Sequence, residues 1–223
     1  MSTKLRLLSS SYSIENSKHE VELFLGVNGA KIIALYGRNG SGKSYLLELI
    51  CGIKTTFSTR VEIQEKGENW RKLNANEIGY LAQHNFIPPH LTLKQVLLDY
   101  SINLHDLVRE CSLFALKENY KIKNFSGGEI RLLELYLLLH RESKLLLLDE
   151  PFAQLSPLHV QQVKTWMKQS RCVILITDHN FQEVFPLADQ HLLLKDKQEI
   201  ILIENEEELI RGGYIPNSIF EHN

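Results

Sequence analysis

The stretch Lys31–Ser44, KIIALYGRNGSGKS, decides the fold. Its first six residues are mostly apolar and predict a buried strand. The next eight, Gly37–Ser44, fit the pattern G-x-x-x-x-G-K-[ST]. Apolar residues at helical spacing follow in Lys43–Cys51. A strand, a glycine-rich loop and a helix in this order predict a phosphate-binding loop, because the curled backbone and the helix N-terminus both present N–H groups to an anion.

Each residue of this loop is therefore a candidate phosphate contact. Lys43 is expected to reach the β- and γ-phosphates of a nucleotide, and the Ser44 hydroxyl is expected to ligate Mg²⁺. The complete set of loop residues is Gly37, Arg38, Asn39, Gly40, Ser41, Gly42, Lys43 and Ser44.

Two carboxylates follow a second apolar run. Leu145–Leu148 is a continuous run of leucines, which predicts a strand buried on both faces, and Asp149 and Glu150 come directly after it. Ligands of open α/β sheets bind at the carboxyl ends of the strands. We therefore expect Asp149 to support Mg²⁺ and Glu150 to act as the base that deprotonates an attacking water.

A third segment, Asn124–Glu129, precedes a long apolar helix. Ser126 is a suitable N-cap for that helix, and the two glycines that follow it leave backbone N–H groups open to an anion. The segment is thus a second candidate phosphate-binding helix start.

Taken in this order and spacing, the three motifs resemble the ATP-binding cassette family over nearly the whole chain. Ser126–Glu129 is similar to the family signature, usually LSGGQ, and Asp149–Pro151 is similar to its second nucleotide motif. Gln83 is placed like the glutamine of the family Q-loop, and His179 is placed like the switch histidine.

The resemblance implies ATP and Mg²⁺ as ligands and a head-to-tail dimer of two cassettes around two ATP molecules. It also implies that Gln83 contacts Mg²⁺ and the attacking water, that His179 contacts the γ-phosphate, and that Tyr12 stacks on adenine. The signature residues would act on the ATP held by the other subunit; these are Ser126, Gly127, Gly128 and Glu129.

The chain departs from the family pattern at three positions. Phe125 replaces the usual leucine and Glu129 the usual glutamine of the signature, and both changes are mild. Ser156 stands where the D-loop normally carries an aspartate. This third departure bears on contacts and coupling between subunits more than on ATP binding.

Composition limits the remaining possibilities. The 223 residues carry 25 Lys and Arg against 27 Asp and Glu, so no general positive charge favours nucleic acid, and none is expected as a partner. No apolar block is long enough to be a signal peptide or a membrane span, so we expect a cytoplasmic protein. Three widely spaced cysteines predict neither a disulfide framework nor a structural metal site.

The predicted fold class is α/β: a P-loop NTPase, RecA-like core with a mostly parallel sheet, an N-terminal antiparallel β subdomain and an inserted α-helical subdomain. Residues 1–82 and 142–223 would form the core with its β part, and residues 83–141 would form the helical insertion that bears the signature. The whole chain, 1–223, would be one cassette domain. The predicted helices of the insertion are Thr92–Tyr100, Asn103–Ala115 and Gly127–Arg141.

The leading functional prediction is the ATP-hydrolysing motor subunit of an ABC transporter, located at the cytoplasmic face of the membrane through separate integral membrane subunits. Gln83–Thr92 resembles the family segment that receives a membrane subunit, and Ile176–Asn180 resembles the lipopolysaccharide-export branch. The alternative is a soluble single-cassette ATPase, such as an iron-sulfur assembly type. A regulator without turnover is disfavoured because Glu150 and His179 are both present.

Overall fold

The structure of the protein is a computed structural model. The structure describes residues 4–9, 21–25, 30–54, 59–64, 68–195, 199–212 and 214. Two β-sheets organise this part of the chain, together with helices of up to 13 residues. No helix among these residues is long and apolar enough to cross a membrane.

The smaller sheet has four strands in the order β2-β1-β4-β5, and every neighbouring pair is antiparallel. It confirms the predicted N-terminal antiparallel part. Its short last strand was not predicted from the sequence. The strands are β1 (Lys4–Ser9), β2 (Val21–Leu25), β4 (Thr59–Gln64) and β5 (Arg71–Lys72).

The larger sheet has six strands in the order β10-β9-β3-β8-β7-β6. The five strands from β9 to β6 are parallel, and β10 joins β9 in antiparallel register at the edge. The predicted mostly parallel core is thus confirmed. Its strands are β3 (Ile32–Tyr36), β6 (Ile78–Leu81), β7 (Leu145–Asp149), β8 (Val173–Thr177), β9 (Gln190–Lys195) and β10 (Glu199–Ile203).

Single α-helices follow β3, β7, β8 and β10, and three consecutive α-helices lie between β6 and β7. Short 3₁₀ turns occur at Ala75–Glu77, Ser112–Phe114 and Ile122–Asn124. The α-helices are α1 (Lys43–Ile50), α2 (Leu93–Asp99), α3 (Leu104–Glu110), α4 (Gly127–Leu139), α5 (Pro157–Gln169), α6 (Phe181–Val184) and α7 (Glu206–Arg211).

The larger sheet is covered on both faces, and β3 shows how. Ile32, Ala34 and Tyr36 pack into one hydrophobic cluster, whereas Ile33 and Leu35 pack into another on the opposite face. Alternating side chains point to opposite faces of a strand, so a strand covered on both faces must be apolar throughout. The leucine run of β7 divides between the same two clusters, as the sequence predicted.

Local interruptions explain where the helix predictions were too long. The predicted helix over 103–115 ends at Glu110, because Cys111 adopts an extended backbone, and a 3₁₀ turn follows. After β8 the chain forms a single helical turn, α6. The sequence did not predict strands β9 and β10 or helix α7.

Ser156, the residue that departs from the D-loop pattern, has a local role at the start of α5. Its side chain accepts a hydrogen bond from the backbone N–H of His159, and Pro157 occupies the first helical position. A proline there lacks only an N–H that the helix does not use. The serine therefore acts as the N-cap of α5.

We expect Ser156→Ala to lower the free energy of unfolding by about 1 kcal/mol, because one N–H group of the first helical turn loses its acceptor. Ser156→Asp is the matched control, since aspartate is an equally good N-cap. Urea denaturation of the three proteins measures the difference. Equal stability of the alanine variant and the parent would show that the cap contributes nothing.

Candidate active site

Four neighbouring parallel strands deliver the predicted site residues to one edge of the larger sheet. The glycine-rich loop follows β3, Gln83 lies two residues beyond β6, Glu150 follows β7, and His179 lies two residues beyond β8. These strands are adjacent in the order β3-β8-β7-β6. Parallel alignment places their carboxyl ends on the same side, so residues distant in sequence come together.

The backbone conformation and the limited space of the loop require glycine at three positions. Gly40 and Gly42 have φ angles of 77° and 94°, a region that residues with a side chain rarely adopt. At Gly37 the constraint is space, because a Cβ atom there would lie 2.5 Å from Ser41 Oγ and 3.0 Å from the carbonyl oxygen of Leu194. The pattern therefore fixes a curled loop that leads into α1.

The Lys43 side chain lies within this curl. Its Nζ donates hydrogen bonds to the carbonyl oxygens of Gly37, at 2.6 Å, and of Arg38, at 3.3 Å. Burial lowers the pKa of the Lys43 ammonium, while the carboxylates of Asp149 and Glu150 act in the opposite direction. The ammonium thus lies in the field of both acids.

A cavity of about 540 Å³ opens beside the loop. This volume is in the range of small-molecule sites. Loop residues and the three predicted catalytic side chains line it together: Asn39, Gly40, Gly42, Lys43, Ser44, Tyr45, Gln83, Glu150 and His179.

The predicted catalytic residues form one hydrogen-bonded group around Glu150. Its Oε1 atom accepts a hydrogen bond from Gln83 Nε2 at 2.9 Å and lies 3.0 Å from His179 Nε2. Gln83 and His179 are exposed to solvent, and Glu150 is partly buried. The carboxylate is therefore oriented from two sides at the cavity and has its second oxygen available for a water molecule.

The backbone of Glu150 is itself unusual, with a φ angle of 49°. Left-handed backbone in a residue other than glycine costs about 1–3 kcal/mol and occurs preferentially at functional sites. Its N–H donates to the carbonyl oxygen of Thr177 at 2.7 Å, which fixes the turn against β8. The buried Asp149 accepts a hydrogen bond from the Thr177 hydroxyl at 2.6 Å.

Asp178 is a residue of the site that sequence reasoning did not single out. Its Oδ2 accepts the N–H of Phe152, and its Oδ1 accepts the N–H of Asn180, at 3.0 and 2.8 Å. Burial raises the pKa of this carboxyl. Asp178 therefore joins the segments that follow Glu150 and His179. Its place directly before His179, at the end of a buried strand, was the available signal.

The signature segment caps α4. The Ser126 hydroxyl accepts the N–H of Glu129, and the Glu129 carboxylate accepts the N–H of Ser126 at 2.7 Å. Burial disfavours the charged form of Glu129, but hydrogen bonds from Lys117 and Ser126 outweigh it, so its pKa is lowered. The predicted N-cap role of Ser126 is confirmed, and Glu129 completes a capping box, as the usual glutamine also could.

The two signature glycines lie against Gln154, which precedes Ser156 of the D-loop by two residues. A Cβ atom at Gly128 would lie 2.6 Å from the carbonyl oxygen of Gln154, and one at Gly127 would lie 2.0 Å from its side-chain oxygen. None of the signature residues is among the described residues that line the cavity beside the glycine-rich loop. Within one subunit the structure therefore does not bring these two predicted phosphate-binding segments together.

Other predictions have mixed outcomes. Tyr12, the predicted adenine contact, lies outside the described residues. The three cysteines are free; Cys111 and Cys172 are buried, and Cys51 is partly buried. Across the described ranges, no group of three or more His, Cys, Asp or Glu residues is arranged to hold a metal ion.

Comparison with known proteins identifies the family. The family model described as ABC transporter matches residues 22–153. The chain belongs to the ABC transporter family. It is 30% identical over 200 residues to the probable sulfate/thiosulfate import ATP-binding protein CysA of Chlorella vulgaris, which covers 83% of this chain and 84% of that protein.

A second relative with an equal level of identity has a different name. The lipopolysaccharide export system ATP-binding protein LptB of Escherichia coli is 30% identical over 186 residues, or 76% of this chain and 77% of that protein. The sulfate/thiosulfate import protein CysA of Thermosynechococcus vestitus is 25% identical over 213 residues, and the alignment spans 62% of its length. The names of these relatives thus include both import and export.

A solved structure agrees with the fold. The crystal structure of a nucleotide-free ATP-binding cassette from an ABC transporter matches with a TM-score of 0.72 and 19% identity, over 98% of both chains. The predicted fold class is confirmed. The family model and the relatives also confirm the predicted function of an ATP-binding, ATP-hydrolysing subunit of an ABC transporter.

The two signature glycines should respond differently to alanine. At Gly128 the new methyl group meets a backbone carbonyl, so we expect the free energy of unfolding to fall by about 1–3 kcal/mol. At Gly127 it meets the end of an exposed side chain that can rotate, and alanine restricts the unfolded chain, so a change between zero and about 1 kcal/mol of stabilisation is expected. Urea denaturation distinguishes the two variants. A reversed order would mean that the D-loop is not packed against Gly128.

Proposed function

We propose that this cassette binds Mg²⁺-ATP in the cavity beside Gly37–Ser44 and hydrolyses it with Glu150 as the general base. The proposal extends to a dimer of two cassettes that encloses two ATP molecules and drives separate membrane subunits. One observation carries it: Glu150 is hydrogen-bonded to Gln83 and adjacent to His179 in the cavity that Lys43 and Ser44 also line.

The geometry around Glu150 supports its role as the base. The amide of Gln83 and the imidazole of His179 contact the same carboxylate oxygen, which leaves the other oxygen to accept a proton from water. When ATP enters, the Gln83 amide can orient that water, and the His179 side chain can donate to a γ-phosphate oxygen. Both roles follow the family resemblance.

The available donor groups fit Mg²⁺. Ser44 and Gln83, which carry a hydroxyl and an amide oxygen, line the cavity, and Asp149 is the last residue of β7. These are the hard oxygen ligands that Mg²⁺ takes, alongside water and phosphate oxygens. When bound, Mg²⁺ would neutralise charge on the phosphates. Lys43 would contribute a positive charge from the protein itself by exchanging its carbonyl partners for phosphate oxygens.

A second cassette subunit is proposed because the signature and the glycine-rich loop do not line one cavity in this chain. The capping box uses the side chains of Ser126 and Glu129 for the helix and leaves the backbone N–H groups of Gly127 and Gly128 at the helix start. Such N–H groups bind anions. We therefore assign these four residues to the ATP of the partner cassette, in a homodimer.

The names of the relatives favour a transporter over the iron-sulfur assembly alternative, since CysA is named as an import protein and LptB as an export protein.

We propose that Gln83–Thr92 receives the membrane subunits at the cytoplasmic face of the membrane. We retain residues 83–141 as the helical insertion and the remaining residues as the core. Tyr12 remains the proposed adenine contact, and no nucleic acid is proposed as a partner. Relatives named for import and for export match with equal identity, so the proposal specifies neither direction nor substrate.

Lys43→Ala should abolish ATP binding or reduce it by more than about tenfold, since the phosphates lose the positive charge inside the loop. Titration with a fluorescent ATP analogue measures the dissociation constant. The control is Lys94→Ala, which removes an exposed lysine of α2 that pairs with Glu118 on the surface. Unaltered affinity in the Lys43 variant would refute the assignment of the loop.

Glu150→Gln should retain ATP binding but reduce the hydrolysis rate by about 10²–10⁴-fold, because the amide keeps the shape of the side chain and cannot accept the proton. Phosphate release at saturating ATP measures the rate. The variant should also elute as a dimer with ATP and as a monomer without it in size-exclusion chromatography. Glu142→Gln, which changes an exposed glutamate before β7, is the control. Parental turnover in the Glu150 variant would assign the base to another group.

A further inference from the structure

Helix α4 contains two buried charged residues that have no role in the reaction proposed above. Arg131 is 4% exposed and Glu134 is 0% exposed, and both lie among the leucines of this helix. Charged side chains are almost never fully buried unless they are paired. Arg131 and Glu134 lie about one and two helical turns after Gly127, the signature residue with which the helix begins.

Arg131 binds backbone groups at the two strand ends that carry the proposed catalytic residues. Its Nη1 donates to the carbonyl oxygen of Ala82 at 2.6 Å, and Ala82 directly precedes Gln83. Its Nη2 donates to the carbonyl oxygens of Asp149 and Glu150 at 2.5 and 2.9 Å. One guanidinium group therefore connects the segment of Gln83 with the segment of Glu150.

Glu134 binds the continuation of the Gln83 segment. Its Oε1 accepts the N–H groups of Phe86 and Ile87 at 2.6 and 3.3 Å. Arg131 and Glu134 thus hold the loop after β6 at two points, and both points are connected to α4. The carbonyl bond fixes the start of the loop, and the two N–H bonds fix the part three and four residues beyond Gln83.

The pair itself is poorly arranged for mutual stabilisation. The nearest charged atoms, Arg131 Nη1 and Glu134 Oε2, are 3.8 Å apart. Within the described part of the chain, Arg131 Nε and Glu134 Oε2 have no hydrogen-bond partner. Buried ion pairs can often be replaced by apolar residues without loss of stability, so the reason for these charges lies in the backbone groups that they bind and not in the pair itself.

We propose that Arg131 and Glu134 are positioning residues for ATP hydrolysis, which hold Gln83 and Glu150 in register with each other and with the signature helix. This inference rests on the proposed function, because it assumes that Glu150 is the base. A shift of α4 would be transmitted to both catalytic segments through these hydrogen bonds. The pair therefore links the helix start that faces the partner's ATP to the base that acts on this subunit's own ATP.

The test is the double variant Arg131→Met/Glu134→Met, which removes both charges together and leaves neither unpaired. We expect it to unfold cooperatively and to bind the ATP analogue within about twofold of the parent, because Lys43 and the loop are untouched. Its kcat should fall by about 100-fold, since misplacement of reacting groups by about 1 Å has an effect of that size. KM should stay close to the parental value.

The matched control is Lys94→Met/Glu118→Met, an exposed ion pair of 3.0 Å at the start of α2. It should leave kcat unchanged. A folded Arg131/Glu134 double variant with parental kcat, or one in which KM and kcat change together, would overturn the inference. If the double variant does not fold, Arg131→Lys decides, since it keeps the charge but cannot span three carbonyl oxygens: reduced kcat supports the inference, and unchanged kcat refutes it. A parental protein without ATPase activity would instead refute the proposed function.

Discussion

The burial of the central strands on both faces is the constraint on which the rest of the molecule depends. Every residue of β3, β7 and β8 is buried, including Asp149 and Thr177 at the strand ends. A shift of one residue in any of these strands would exchange the faces that its side chains cover. The register of the sheet is therefore fixed by packing, and that register decides which side chains emerge together at its carboxyl edge.

Helix α4 is the second organising element. It begins at the signature, where its capping box is formed by side chains, and it continues beneath the ends of β6 and β7, where Arg131 and Glu134 bind their backbone groups. A single helix of 13 residues thus bears the proposed contacts to the partner's ATP at its start and the two proposed positioning residues in its middle. Rigid elements of this kind hold functional groups more accurately than loops do.

Much of this arrangement was accessible from the sequence, because strong local patterns specified it. The continuous apolar runs predicted doubly covered strands, and the glycine-rich loop required left-handed backbone at Gly40 and Gly42. The grouping of Gln83, Glu150 and His179 followed from the family resemblance and from the rule that parallel strands end on one side.

The remaining features depend on tertiary contacts that no local pattern encodes. Arg131 and Glu134 resemble the exposed charges of any amphipathic helix, and only the position of the strand ends reveals their partners. The close approach of Gln154 to Gly128 joins segments that are 26 residues apart. The helix ends before Cys111 although neither a proline nor a glycine is present there to predict its end. Sequence reasoning also stopped before the antiparallel edge strand β10.

The position of the Lys43 side chain has a consequence for how ligands are admitted. By donating to two carbonyl oxygens of its own loop, the ammonium stabilises the curled backbone from within the loop. In the proposed function, phosphate oxygens of the nucleotide would replace these two carbonyl oxygens as acceptors, and the backbone would need no further ordering. The entropic penalty of binding is reduced because that ordering was accomplished when the protein folded. The loop is therefore preorganised for an anion by the hydrogen bonds of its own lysine.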